Sequence, residues 1–235
     1  MGFFSIRGLY VPEKERNAPI RSHMRVRKKK WAAGELEGNP LILRDASQYK
    51  KKVSETFTNP DLALHLEIGC GKGRFVTETS KANKTVNHIA IERDPTILAA
   101  AARYAKENGA GNVRFLVGDA VELPDYFEPG QISRLYINFC DPWPTKKKRA
   151  RRRLTHDRFL EIYGSLLIPE IFFKTDNRVL FEFSLESFPR CGWLPRNISL
   201  DLHNSDFFEN IVTEYEEKFS KHGPIYRLEA YRHCV

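Results

Sequence analysis

Residues 62–75 read LALHLEIGCGKGRF. The apolar run up to Ile68 has the length and composition of a short buried strand, and the texture becomes helical from Arg74. Between them Gly69, Gly71 and Gly73 let the backbone turn tightly and approach a ligand with no side chain in the way. A dinucleotide fingerprint would place glycine where Arg74 stands, and it would not need an acid two residues ahead of the first glycine. Glu67 therefore tilts the turn away from pyrophosphate, because a carboxylate repels phosphate and attracts cations. Taken alone, a glycine-rich turn is equally well only a tight turn.

The same alternation continues outward from this turn. Strand-like pieces NHIAIE, NVRFLVGD, RLYINF and IFFK are separated by helical stretches beginning near Arg74, Asp94 and Thr155. This order predicts a Rossmann-like, doubly wound α/β fold, with a mostly parallel sheet covered by helices on both faces. The stretch DPTILAAAARYAKENG carries its own boundaries: Asp94 as N-cap, Pro95 at the first helical position and Gly109 as the stop. From about residue 190 the tail offers IVTEYEEKFSKHG, a helix or strand, and PIYRLEAYR, a closing strand after a Gly-Pro turn. Residues 1–23 read as a disordered extension, 24–60 as a basic arm or cap outside the core, and 61–235 as the main domain.

With 235 residues and 41% hydrophobic content, the chain can bury a full core. Its formal charge of +8 points to a polyanionic partner, nucleic acid first. No apolar run approaches the roughly 20 residues of a membrane helix, which with the absence of a leader-like start predicts a cytoplasmic protein without a membrane partner. Cys70, Cys140, Cys191 and Cys234 are scattered with no CxxC pair, so neither a metal site nor a disulfide framework is expected.

In a doubly wound sheet, ligands bind at the carboxyl ends of the strands. Glu67 sits at the first such end. Glu92 ends the second, placed to accept both hydroxyls of a ribose, and Asp119 with Ala120 ends the third, suited to an adenine amino group. Singly, these acids read as a helix cap, a solvated strand end and a turn start. Jointly, three acids at three strand ends fit a cationic nucleoside without phosphate, which is the description of S-adenosylmethionine.

The fourth strand runs into NFCDPWPTKKKRARRRLTH. Asp141 is the catalytic candidate there, because the reactive methyl group should lie at this strand end. Pro142 and Pro144 stiffen the backbone around Trp143. Lys146, Lys147, Lys148, Arg149, Arg151, Arg152 and Arg153 supply charge for a phosphate backbone. A basic run is ordinarily a solvated face; its position directly beside the presumed cofactor site favours the functional reading.

From about Met24 to the C-terminus the chain resembles the tRNA (guanine-N7)-methyltransferases of the bacterial single-subunit type. MRVRKKKWA, LEIGCGKGRF, the DPWP element with its basic run and RRLTHDRFLE, FFKTDN and TEYEEKF carry the resemblance. It implies a class I S-adenosylmethionine-dependent methyltransferase fold and methylation of a guanosine in the tRNA variable loop, position 46. It implies cofactor contacts from Glu67, Glu92, Asp119 and Asp141, with Asp141 catalytic. Substrate contacts are implied for Lys146, Asp176, Thr213, Glu214, Tyr215 and Glu216, and RNA contacts for Arg149 to Arg153. No obligate protein partner is expected. Two departures stand out: Cys140 replaces the family's usual proline, and LIPE replaces the longer LKPGG turn before the fifth strand. Two rival classes remain at this stage, an amino methyltransferase acting on adenine or cytosine and a non-catalytic RNA-binding relative.

Overall fold

The computed structural model describes residues 30–44 and 46–232. Expectations for residues 1–23, for the basic stretch up to Lys29 and for Cys234 lie outside the described residues. In chain order the elements are α1 (Lys30–Gly38), β1 (Ile42–Leu43), β2 (Ala63–Ile68), α2 (Arg74–Ala82), β3 (Val86–Glu92), α3 (Pro95–Glu107), β4 (Val113–Val117) and α4 (Leu123–Tyr126), followed by β5 (Ile132–Asn138), α5 (Lys147–Ala150), α6 (Asp157–Ser165), β6 (Glu170–Thr175), α7 (Arg178–Arg190), β7 (Leu194–Ser199), α8 (Glu214–Phe219) and β8 (Tyr226–Tyr231).

The strands form one sheet in the order β1-β4-β3-β2-β5-β6-β8-β7. All neighbours run parallel except at β8, which lies antiparallel between β6 and β7. The chain winds from β2 to β3 and β4 on one side and returns to β5 and β6 on the other, so the expected doubly wound sheet is present. Its topological switch point lies between β2 and β5, where the crevice of such a fold opens.

The two faces of the sheet differ in chemistry. On one, Leu66, Ile68, Leu135, Ile137 and Phe173 join Phe159, Leu160, Phe181 and Phe188 of α6 and α7 in an apolar core. On the other, β3 and β4 meet the alanine-rich side of α3, whereas β2, β5, β6 and β8 bury His65, Glu67, Tyr136, Asn138, Lys174, Arg227 and Glu229. A buried polar face must satisfy its hydrogen bonds internally, and this one is what the functional site is built on.

α3 has the expected ends: the Asp94 carboxylate accepts from the N–H groups of Thr96 and Ile97, and Gly109 takes a left-handed φ of +71°. Gly73 serves packing as well as turning, since a Cβ there would lie 2.7 Å from that of Ala101. α2 and α3 can approach this closely only with glycine at 73.

Five elements depart from the sequence reading. The stretch read as an arm outside the core buries Ala32, Leu41, Ile42, Leu43, Val53 and Phe57. There β1 pairs with β4 at the sheet edge, and α1 lies along α3 with the Arg103 guanidinium 4.3 Å from the Trp31 ring. A two-residue strand is too short to show a period, which is why the sequence hid it. α7 and β7 were not anticipated; β7 is largely exposed and lacks the inside–outside alternation of a half-buried strand. α6 begins at Asp157 rather than Thr155, because Thr155 is engaged by Ser184 and Ser187 and the His156 ring caps the helix.

Candidate active site

Glu67 lies at the switch point and is 3% exposed. Its Oε1 accepts from Asn138 Nδ2 at 3.0 Å, while Oε2 is buried with no hydrogen-bond partner. Burial pushes its pKa up to about 7, against the Asn138 hydrogen bond, the charge of Lys174 and the weaker pull of the Val76 backbone N–H. An orphaned buried carboxylate oxygen calls for a partner. Beside it the glycine turn is open: Gly69 and Gly71 have φ of +75° and +55°, and nothing lies within 4 Å of where a Cβ would stand. An acceptor in need of a cation, next to exposed backbone, fits the ammonium end of S-adenosylmethionine.

Glu92 closes the next strand. Its Oε1 accepts from the N–H groups of Arg93 and Asp94 at 2.8 and 3.2 Å, and its Oε2 from Gly71 at 3.3 Å. The carboxylate thus ties the end of β3 to the glycine turn, and burial raises its pKa. Asp119 caps the helical turn Ala120–Glu122 in a reciprocal box and lies 3.5 Å from Arg93. The modest roles weighed for these acids are therefore real for Asp119, and compatible with its position at the rim of the same crevice.

Past β5, Phe139 adopts a left-handed φ of +50° while its N–H donates to the Lys174 carbonyl at 2.8 Å. That conformation costs a bulky residue on the order of 1 kcal/mol, and it turns the chain outward so that Asp141 is exposed. Arg153 Nε donates to the Trp143 carbonyl at 2.8 Å, and the Arg152 guanidinium covers the Trp143 ring at 4.8 Å. The proline-flanked loop is thereby clamped from below. Arg153, expected on RNA, is instead 1% exposed, with its guanidinium 4.5 Å from the Phe183 ring. The alternation that betrays it is Ala150 with Arg153, a buried i, i+3 pair inside a basic run. Lys146, Lys148, Arg149, Arg151 and Arg152 are exposed as expected, and the side chain of Lys147 lies outside the described residues.

The residues carried over from KTDN and TEYE meet at the end of β6. Asp176 is exposed and accepts from the Tyr215 hydroxyl at 2.9 Å, while the Tyr215 ring packs between Phe139 and Phe219 at 5.0 and 4.2 Å. Thr213 caps α8, accepting from the N–H of Glu216 at 2.9 Å. Glu216, expected to touch substrate, is 0% exposed and saturated by its own neighbours. Its Oε2 accepts from Lys174 Nζ at 2.7 Å, and its Oε1 lies 2.6 Å from Asn210 Nδ2 and 3.0 Å from His203 Nε2. Glu214 faces Lys72 of the glycine turn at 3.5 Å, and Glu217 pairs with Arg74. Lys174 stood in the sequence only as part of FFKTDN, with no role of its own, and His203 and Asn210 carried no signal. A cavity of about 120 Å³ lies against this cluster, lined by Phe75, Tyr136, Asn138, Phe172, Lys174 and Asn210 among others.

Among the described residues no helix is long and apolar enough to cross a membrane. Residues 61–228 match the family model described as "Putative methyltransferase". The chain is 49% identical to the tRNA (guanine-N(7)-)-methyltransferase of Listeria monocytogenes serovar 1/2a, over 88% of this chain and 98% of that one. It is 46% identical to the protein of the same name from Bacillus subtilis, with the same coverage. Among solved structures it resembles the 16S rRNA methyltransferase KamB, with a TM-score of 0.53 at 16% identity over 72% of this chain and 87% of that one. It also resembles a precorrin-6y C5,15-methyltransferase from Geobacter metallireducens, with a TM-score of 0.52 at 16% identity over 90% and 93%. The last two speak for the fold alone. With identity near one half across nearly the whole length of its relatives, the chain belongs to the tRNA (guanine-N7)-methyltransferase family.

Proposed function

We propose that the protein methylates N7 of a guanosine at position 46 in the variable loop of cytoplasmic tRNA. The observation that carries the reading is the unsatisfied, buried Glu67 oxygen beside an open glycine turn, one strand away from the loop that presents Asp141.

S-adenosylmethionine supplies a methyl group on a positively charged sulfur. Glu67 holds the ammonium of its amino-acid end, and Gly69 and Gly71 allow the backbone to approach. Glu92 receives the ribose hydroxyls, and Asp119 with Ala120 receives the adenine. Guanine N7 already exposes a lone pair, so no base is needed to free the nucleophile; in-line alignment is the main requirement. With the methyl group passed to N7, S-adenosylhomocysteine would be the neutral-sulfur leaving group, and the Asp141 carboxylate would stabilise the positive charge gained by the purine. Asp176, oriented by Tyr215, accepts from the Watson–Crick edge of guanine and selects it over adenine. Lys146, Lys148, Arg149, Arg151 and Arg152 hold phosphates around the loop. Mass spectrometry of nucleosides from unmodified tRNA incubated with protein and S-adenosylmethionine tests the reading. It should find 7-methylguanosine; methylated adenosine or cytidine instead would move the reading to an amino methyltransferase.

A further inference from the structure

The ammonium of Lys174 lies at the meeting point of several elements. It donates to Asn210 Oδ1 at 3.0 Å, to the Ile211 carbonyl at 3.0 Å and to Glu216 Oε2 at 2.7 Å. It also sits 5.2 Å from the Phe75 ring of α2 and 5.9 Å from the Phe139 ring of the reaction loop. Its own backbone carbonyl accepts from the Phe139 N–H at 2.8 Å. Two residues further on stands Asp176, bonded to Tyr215, the residue next to Glu216. Reaction loop, β6, α8 and the 203–211 segment thus converge on a single ion pair with side chains 7% and 0% exposed.

We infer that Lys174 and Glu216 form a buried positioning pair that fixes the reaction loop of Asp141 against the Asp176–Tyr215 pair, and that Glu216 does not touch the guanine. The inference rests on the function proposed above. Both Glu216 oxygens are already occupied: Oε2 by Lys174 and, at 3.4 Å, the Thr213 N–H, and Oε1 by Asn210 and His203. A carboxylate offers about four lone-pair sites, so a base edge could be read by Glu216 only by dismantling this set. Breaking a buried pair strands an uncompensated charge, and the displacement would fall on the reaction loop, which hangs on the Lys174 carbonyl through the Phe139 N–H, so that Asp141 shifts while Asp176 still reads the base. Methyl transfer needs in-line alignment of the reacting groups, so small displacements there slow transfer without abolishing binding.

The test compares Lys174→Met, Glu216→Gln and the double variant, each as the full chain, on tRNA transcripts carrying guanosine or inosine at the target position. Inosine lacks the 2-amino group that a base-reading carboxylate would accept from. Each single variant should lower kcat with S-adenosylmethionine affinity held. Because the pair acts as a unit, the double variant should lie within about threefold of Lys174→Met rather than at the product of the two losses. The preference for guanosine over inosine should be the same in Glu216→Gln as in the unaltered protein. Multiplying losses, or a guanosine preference that collapses in Glu216→Gln, would overturn the inference. If Lys174→Met does not accumulate as folded protein, the inosine comparison with Glu216→Gln decides alone. Failure of the unaltered protein to form 7-methylguanosine would sink the proposed function itself; activity with a shifted inosine ratio would sink only the positioning pair.

Discussion

Glu67 is held near half ionisation by burial, with a pKa of about 7 before any cation arrives. An ammonium bound against it favours the charged form, so binding S-adenosylmethionine should expel a proton at neutral pH. The sign follows directly: affinity rises as pH climbs through 7 and falls as the carboxylate protonates below it. Calorimetry in two buffers of different ionisation heat should register that released proton, and Glu67→Gln should abolish the difference; equal heats for the unaltered protein would remove Glu67 from the cofactor site. The residue was legible in the sequence because an acid at a strand end before a glycine turn is unusual. Its partner Asn138 stood in the sequence only as the first residue of NFCDPWP at the end of the fourth strand, since no spacing rule links residues 71 apart.

At the scale of elements, the basic run is two things at once. The exposed cations of α5 and the turn after it face solvent, whereas Arg153 turns inward to hold the Trp143 carbonyl. Neutralising Lys148, Arg149 and Arg151 together should weaken tRNA binding and flatten its salt dependence by roughly one unit of slope per lost phosphate contact. Arg153→Met should leave the salt slope alone, yet lower kcat and cost about 2 kcal/mol of stability through the lost hydrogen bond and the guanidinium–ring contact. Filter binding across a salt series together with urea unfolding separates the two roles; a flattened slope in Arg153→Met would return that residue to the RNA surface. Sequence alone merges these residues because like charge is read as like exposure. Only the turn that follows α5, which brings Arg153 back beside the buried Ala150, sets position 153 apart. The same limit applied to TEYE, where the capping box of α8 hides Glu216 behind Thr213 while leaving Glu214 exposed.

Across the whole molecule, the parallel order and the switch point were readable from alternation, since strands buried on both faces are apolar enough to stand out. That the cap joins the sheet and the core was not, because β1 contributes two residues and α1 packs through its flank on α3. Nor was the polar half of the sheet, which single strands do not reveal. That half has a cost under acid. His65 and His88 are buried against each other, their rings at 5.5 Å, and burial lowers their pKa values to about 3 and about 4. Both are neutral in the fold and protonate readily once unfolded, so stability is full above pH 6.5 and falls as pH drops from there toward 4. By linkage the loss at pH 5 is on the order of 2 kcal/mol per histidine. Urea midpoints at pH 7 and pH 5 should differ accordingly, and the gap should shrink in His88→Asn; equal midpoints would contradict the buried neutral state.

The central claim is that the methyl group is delivered to guanine N7, with Asp141 stabilising the charge that develops on the purine. Replacing the target guanosine by 7-deazaguanosine removes the acceptor lone pair and keeps the Watson–Crick edge that recognition reads. Transfer of labelled methyl from S-adenosylmethionine should be full on normal tRNA, slow with Asp141→Asn and absent on the 7-deaza transcript, which should still bind. Label on the 7-deaza transcript would contradict the account, and would place the acceptor on another atom of the base.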